Sequence, residues 1–353
     1  MADAVVDPGT NPMADQMTET MSASPITDVS KASAPEPGAR ESRRLVFCGR
    51  GKTLFGIHLV NVFRTVITLG IYHFWGKVRV RAFLLSQSEF EGDRFAYHGT
   101  GKELLIGFLK GGLVFGGIVA LFNAVPFLPG GLPVQIGAIV AAYALLLILV
   151  PIGMVGARRY RLSRISWRNI RFSFRGRAKE FIAIFSGGLL LTALTLGLYY
   201  PFWATARQAF MVSHSHFGNH AFGFDGRGRA LFLPFLLTAL LTLPTLGLSW
   251  VWFLARRQRY WWEHTSFGAA RFRSTVTGGR LLRLHAGNLL LLVLTLGVGW
   301  AWVVVRRARF EFDNLTLDGP LELATVQQEA QESSATGEGL DLLLDMDTGL
   351  ATG

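Results

Sequence analysis

The sequence predicts a polytopic α-helical membrane protein of about six transmembrane helices, arranged as a tandem repeat of about 50 residues. Three observations predict it. The tripeptide Thr-Leu-Gly recurs at 68–70, 195–197, 245–247 and 295–297, and the last three glycines are spaced 50 residues apart. Apolar residues make up 50% of the chain and charged residues only 17%, below the roughly 25% of soluble domains, with a mean hydropathy of +0.34. Six segments, 54–75, 105–125, 133–156, 181–203, 230–254 and 286–305, are long and apolar, close to the roughly 20 residues that cross a 30 Å hydrocarbon core.

Each copy follows one order. An apolar helix ends in Thr-Leu-Gly. Five residues after the glycine, or six in one copy, stands a tryptophan: Trp75, Trp203, Trp252 and Trp302. Arginines follow nine to twelve residues on: Arg79 and Arg81, then Arg207, then Arg256, Arg257 and Arg259, then Arg306, Arg307 and Arg309. An aromatic stands at thirteen (Phe83, Phe210, Tyr260, Phe310) and a phenylalanine at twenty-five (Phe95, Phe222, Phe272). A fifth copy lacks Thr-Leu-Gly, but a register on Leu147 puts Tyr160 and Phe172 at the same offsets. Arg94–Gly99, Arg171–Gly176 and Phe222–Gly228 alternate with period two and end in glycine, the pattern of a short β-hairpin. A lone hairpin is marginal in water, so these are expected to associate as a small β cap on the aqueous side.

Topology turns on the arginines. Basic loops face the cytoplasm, yet a basic cluster follows nearly every apolar segment. Simple spans are the preferred reading and put successive clusters on opposite sides. The alternative is that Thr-Leu-Gly marks a helical hairpin that dips into the membrane and returns, with every cluster cytoplasmic. Residues 105–156 read as two spans joined by the Pro126–Pro133 turn.

Charge divides the chain into an acidic tail (1–44), a membrane domain (45–323) and an acidic C-terminal tail (324–353). Residues 1–44 hold seven acids and four bases, 311–353 ten acids and no base, and 45–310 31 bases and seven acids. Both tails have the composition of disorder, with 340–346 as a candidate docking helix, and residues 1–44 lack a cleavable-signal pattern. The bases flank apolar segments, which points to anionic lipid headgroups as partners and away from nucleic acid. Cys48 is the only cysteine, which excludes an intrachain disulfide and a cysteine metal cage.

The candidate intramembrane polar site is His58, Asn61, Arg64, His285 and Asn288. His58 and Asn61 precede Gly70 by twelve and nine residues, and His285 and Asn288 precede Gly297 by the same offsets. A spacing of three puts each pair on one helix face, and polar groups within a span face a bundle interior or a wet cavity. The two pairs are expected to meet where the terminal copies close. The tryptophans and arginines of these repeats are expected to contact lipid at the interface. His214, His216 and His220 lack a neighbouring carboxylate or thiol, and Gly99-Thr100-Gly101-Lys102 lacks the phosphate-loop spacing. No metal, cofactor or catalytic group is therefore expected.

Leu59-Val60-Asn61, Ile67-Thr68-Leu69-Gly70-Ile71-Tyr72, Trp75, Lys77, Val78, Arg79, Arg81 and Tyr97-His98-Gly99-Thr100-Gly101-Lys102-Glu103-Leu104 resemble the YjgN-like proteins. The resemblance covers about residues 45–325 and implies the bacterial inner membrane and the architecture, not a reaction. Multi-pass insertion with both termini cytoplasmic is the expected placement. The expected role is facilitative passage of a small or anionic solute through the helix bundle, with a lipid-surface scaffold as the alternative.

Overall fold

The structure is a computed structural model that describes residues 42–328. Both acidic tails, apart from their innermost residues, and the candidate docking helix at 340–346 lie outside the described residues. The chain runs strand–helix–helix–strand five times. The first unit is β1 (Ser42–Phe47), α1 (Gly51–Ile67), α2 (His73–Ser86) and β2 (Ser88–Phe90). The second is β3 (Asp93–Tyr97), α3 (Gly101–Ala124), α4 (Gly131–Ser163) and β4 (Ile165–Trp167). The third is β5 (Ile170–Phe174), α5 (Ala178–Leu194), α6 (Tyr200–Ser213) and β6 (Ser215–Phe217). The fourth is β7 (His220–Phe224), α7 (Arg229–Leu241), α8 (Ser249–Glu263) and β8 (Thr265–Phe267). The last is β9 (Ala270–Ser274), α9 (Gly278–Leu294), α10 (Trp300–Asp313) and β10 (Leu315–Asp318).

This corrects the expected bundle of six spans. Among the described residues there are ten α-helices, and only α3, continued through Phe127, and α4 are long and apolar enough to cross a membrane. The other four candidate spans each run across a hairpin turn, because Thr-Leu-Gly reverses the chain between two short helices instead of ending a span. Nor do the strands form a small cap of hairpins. All ten close into one antiparallel barrel, with β1 paired to both β2 and β10. The arginine clusters sit on the second helix of each hairpin, just before the strand that re-enters the barrel, so they share one end of the helices.

The turn chemistry explains the motif. Leu69, Leu196, Leu246 and Leu296 adopt φ between 49° and 51°, followed by glycines at φ 82° to 95°. Two successive left-handed residues reverse the chain, and the second is tolerable for glycine. Each glycine N–H bonds the carbonyl five residues back, as in Gly247 to Thr242 at 2.7 Å. The threonine ties the two helices together. The Thr245 hydroxyl donates to Leu241 O (2.6 Å) and accepts from Ser249 N–H (3.2 Å), and Thr68, Thr195 and Thr295 make the same pair of bonds. Thr245→Val keeps the shape but removes both bonds, so it is expected to cost roughly 1–3 kcal/mol, read as a lower thermal midpoint in detergent. In the second unit the turn is Val125–Gly131, with Pro126, Pro129, Gly130 (φ 114°) and Gly131 (φ 71°), and the helices grow to 24 and 33 residues.

Strand alternation fills the barrel. Phe95, Phe172, Phe222 and Phe272, the phenylalanines at offset twenty-five, point inward with Leu45, and neighbouring rings stand 6.4 Å apart. Phe90, Trp167, Phe217, Phe267 and Leu317 form a second buried set, one from each even-numbered strand. The Trp167 indole N–H bonds Phe90 O and Asp93 O, each at 3.3 Å. At the barrel end remote from the helices, Leu321, Leu323 and Val326 pack against this core, and Gln327 bonds Asn219 in the β6–β7 turn.

The helices also close a ring, since α1 packs on α10 as well as α2. Tryptophan into glycine sets the contacts between units. A Cβ at Gly101 would collide with Trp75, one at Gly278 with Trp252, and one at Gly51 with Trp302. The last pair joins the fifth unit to the first. Trp203, displaced by one residue, instead fills the space above Gly188 in its own hairpin.

Candidate anion-binding belt

The second helix of every hairpin carries arginine toward the barrel, and these side chains do different jobs. Arg159 donates to Gly176 O (3.0 Å) and Arg309 to Gly49 O (3.1 Å). These are equivalent loop carbonyls two residues ahead of α5 and α1, so these arginines staple one unit to the next. Arg81 reaches Tyr97 OH at 3.4 Å, and Arg158 reaches Ser215 Oγ at 3.3 Å. Arg259 and Arg307 form i,i+4 pairs with Glu263 (3.9 Å) and Glu311 (3.4 Å). Arg79 lies over Tyr72 at 5.6 Å, while Arg256 and Arg306 are exposed.

Arg207 and Arg257 are set differently. Arg207 lies over Trp203 (4.8 Å) and Phe185 (5.5 Å). Arg257 lies over Trp261 (4.7 Å) and donates to Tyr200 OH (2.6 Å). Burial holds the Arg207 guanidinium below its ordinary pKa. The Tyr200 interaction opposes that shift and the charge of Arg257 adds to it.

The polar residues expected within the bundle divide between separate hairpins. Asn61 is buried and its Nδ2 donates to Gly76 O (3.2 Å) on α2, bracing its own hairpin. Arg64 is exposed and binds Tyr72 OH (2.9 Å) across the turn, stacking on that ring at 5.4 Å. His58 is half-buried on α1. Asn288 is buried on α9, and His285 is exposed one turn before it. Asn61 Oδ1 and Asn288 Oδ1 are buried without a hydrogen bond. The ring closes through α1 against α10, so α10 stands between α1 and α9 and the two His-x-x-Asn pairs are not on adjacent helices. His214 bonds Phe210 O (2.9 Å) at the end of α6, whereas His220 faces Thr325 (3.3 Å) near the far end of the barrel.

Sequence reasoning missed Tyr200, Trp261 and Phe185 as partners of the belt. Tyr200 and Trp261 each lie within a few residues of an arginine, but nothing in the spacing says that a tyrosine of one hairpin reaches an arginine of the next. Glu103 was also missed. It caps α3 through Thr100 and receives Tyr160 OH (2.6 Å) and Arg164 (2.7 Å), tying the start of α3 to the end of α4.

A family model described as a bacterial protein of unknown function, DUF898, matches residues 42–250 and 233–343. The Inner membrane protein YjgN of Salmonella typhimurium is 32% identical over 131 residues, 37% of this chain and 31% of that protein. Its counterpart from Escherichia coli K12 is 32% identical over 142 residues, 40% of this chain and 33% of the relative. The matched region therefore spans about a third of the length of these curated relatives, and neither has an enzymatic name. Their names support an inner-membrane location. No solved structure matches the chain. With the family model covering most of its length, the chain belongs to the bacterial DUF898 family of unknown function.

Proposed function

We propose that this chain is a lipid-embedded scaffold. Its four short hairpins enter the cytoplasmic leaflet of the inner membrane, the α3–α4 hairpin crosses the bilayer, and the barrel is held at the cytoplasmic surface. The observation that carries the reading is a depth. From Gly247 to Arg256 and Arg257 is nine or ten residues, about 14–15 Å of helix, which is half of a 30 Å hydrocarbon core. The turn leucines at these tips are 93–96% exposed, as apolar residues facing lipid would be. In α4, Gly131 lies sixteen residues beyond Leu147, which adds about 24 Å and carries that hairpin to the far side. Arginines gathered at one end of all hairpins support a cytoplasmic position for that end.

Passage of a solute is the weaker reading because two sets of inward side chains fill the barrel, and a path along its axis would meet a packed core. The full chain reconstituted into phosphatidylglycerol vesicles is expected to release a trapped small anion no faster than protein-free vesicles. Its thermal midpoint should be higher there than in phosphatidylcholine. Saturable, protein-dependent release would overturn the scaffold in favour of passage.

A further inference from the structure

We propose that Arg207 and Arg257, with Trp203, Trp261 and Tyr200, form a binding site for a phosphate group between the third and fourth hairpins. Donors in this cluster outnumber their acceptors. Among the described residues Arg207 has ring contacts but no hydrogen bond or ion pair. Arg257 bonds only the hydroxyl of Tyr200. Arg207 Nε, Arg257 Nε, Trp203 Nε1 and Trp261 Nε1 are all buried without an acceptor. Each of these indoles carries one of the two guanidiniums on its face. Among the described residues no carboxylate pairs with either guanidinium; Glu263 lies 3.9 Å from Arg259 and Glu180 3.9 Å from His214.

The cluster is therefore rich in donors, doubly positive and short of acceptors. Unsatisfied buried donors and unpaired charge are costly, and a phosphate oxygen is the acceptor a stacked guanidinium is best shaped to take. The lowered pKa of Arg207 agrees with a charge lacking its counterion. The arrangement is also local. The position eight residues before each even-numbered strand is Val80, Ala157, Arg207, Arg257 and Arg307, and Arg307 is already answered by Glu311. Buried Nε atoms without an acceptor also occur at Arg158, Arg159, Arg161 and Arg164 in the second unit, so what sets these two units apart is the stacking of each guanidinium on an indole whose own N–H is unmatched. A lipid headgroup and a free phosphate share this chemistry. The proposal rests on the embedded-scaffold reading only for the lipid source.

The test uses the full chain purified in a neutral detergent, titrated with inorganic phosphate and separately with phosphatidic acid in mixed micelles, with the thermal midpoint and indole fluorescence as readouts. A shift with inorganic phosphate identifies a free-phosphate site that stands even if the scaffold reading fails. A shift with phosphatidic acid alone identifies a headgroup site. In either case R207Q/R257Q should weaken the response at least tenfold, whereas R271Q, which removes an exposed charge on strand β9 outside the belt, should leave it unchanged. As a folding control, Arg207→Met should equal or exceed the parent midpoint without phosphate, since it deletes an uncompensated charge. No response of the parent chain to either probe, or equal responses from the parent and R207Q/R257Q, would overturn the site.

Discussion

Trp167→Ala is expected to lower the stability of the chain by about 3–5 kcal/mol, the largest effect of any single core truncation. Trp167 is 4% exposed and touches Phe90, Phe95 and Phe217 at ring distances of 5.3, 6.3 and 5.6 Å. Its removal leaves a cavity in a closed barrel whose strands are three to six residues long, too short to collapse inward without breaking ladder bonds. The carbonyls of Phe90 and Asp93 also lose their indole donor. The measurement is thermal or urea unfolding in detergent, with Trp167→Phe as the companion, which should recover more than half of the loss. A Trp167→Ala loss below about 1 kcal/mol would mean that the barrel interior is not the packed core described here.

The second large effect is expected at the hairpin tips. Leu246→Asp and Leu296→Asp each place a carboxylate where a short hairpin ends, at bilayer mid-depth in the proposed arrangement. Each should cost about 2.5–3.5 kcal/mol. Together they should deplete the trypsin-resistant membrane core several-fold in isolated membranes. Leu132→Asp, at the far end of α4 and 69% exposed, should be nearly neutral because that end would reach the opposite headgroups. The contrast between equally apolar leucines separates embedded tips from tips in water. If all three substitutions are tolerated alike, the depth assignment is wrong.

The repeat offsets and the alternation around Phe95, Phe172, Phe222 and Phe272 were readable because spacing is a sequence property, but that these rings face inward was not. The hairpins were legible only as the alternative reading of Thr-Leu-Gly, behind simple spans. The left-handed residue of each turn is a leucine and the turn threonine bonds back into the helix, so a hydropathy window runs from α5 through Leu196 into α6 and reports one span where the chain reverses. The long α3–α4 hairpin was legible because Pro126, Pro129, Gly130 and Gly131 interrupt it. Barrel closure was invisible for a different reason. The β1–β10 pairing joins Ser42–Arg44 to Thr316–Asp318, the two ends of the described fold, and three- to six-residue strands carry little pattern. The polar site was legible in composition but not in placement. Offsets put Asn61 and Asn288 at matching positions, but only the order of helices around the ring shows α10 between them. The arginine belt was visible as charge, while its division into staples, ion pairs and two ring-stacked guanidiniums without a carboxylate needed side-chain geometry.

The central claim is that every barrel turn faces one side, the long hairpin reaches the other and the short tips reach neither. Single-cysteine accessibility in a Cys48→Ala background tests it most directly. Cysteines at Glu91, Asn169 and Ala269 in the barrel turns, at Phe127 on the long hairpin and at Leu246 on a short tip would each meet an impermeant thiol reagent from one side and then the other. The predicted result is labelling of the three turn sites only from the cytoplasm, of Phe127 only from the periplasm and of Leu246 from neither. Alternation of sides among the turn sites, or efficient labelling of Leu246 from the periplasm, would contradict the account.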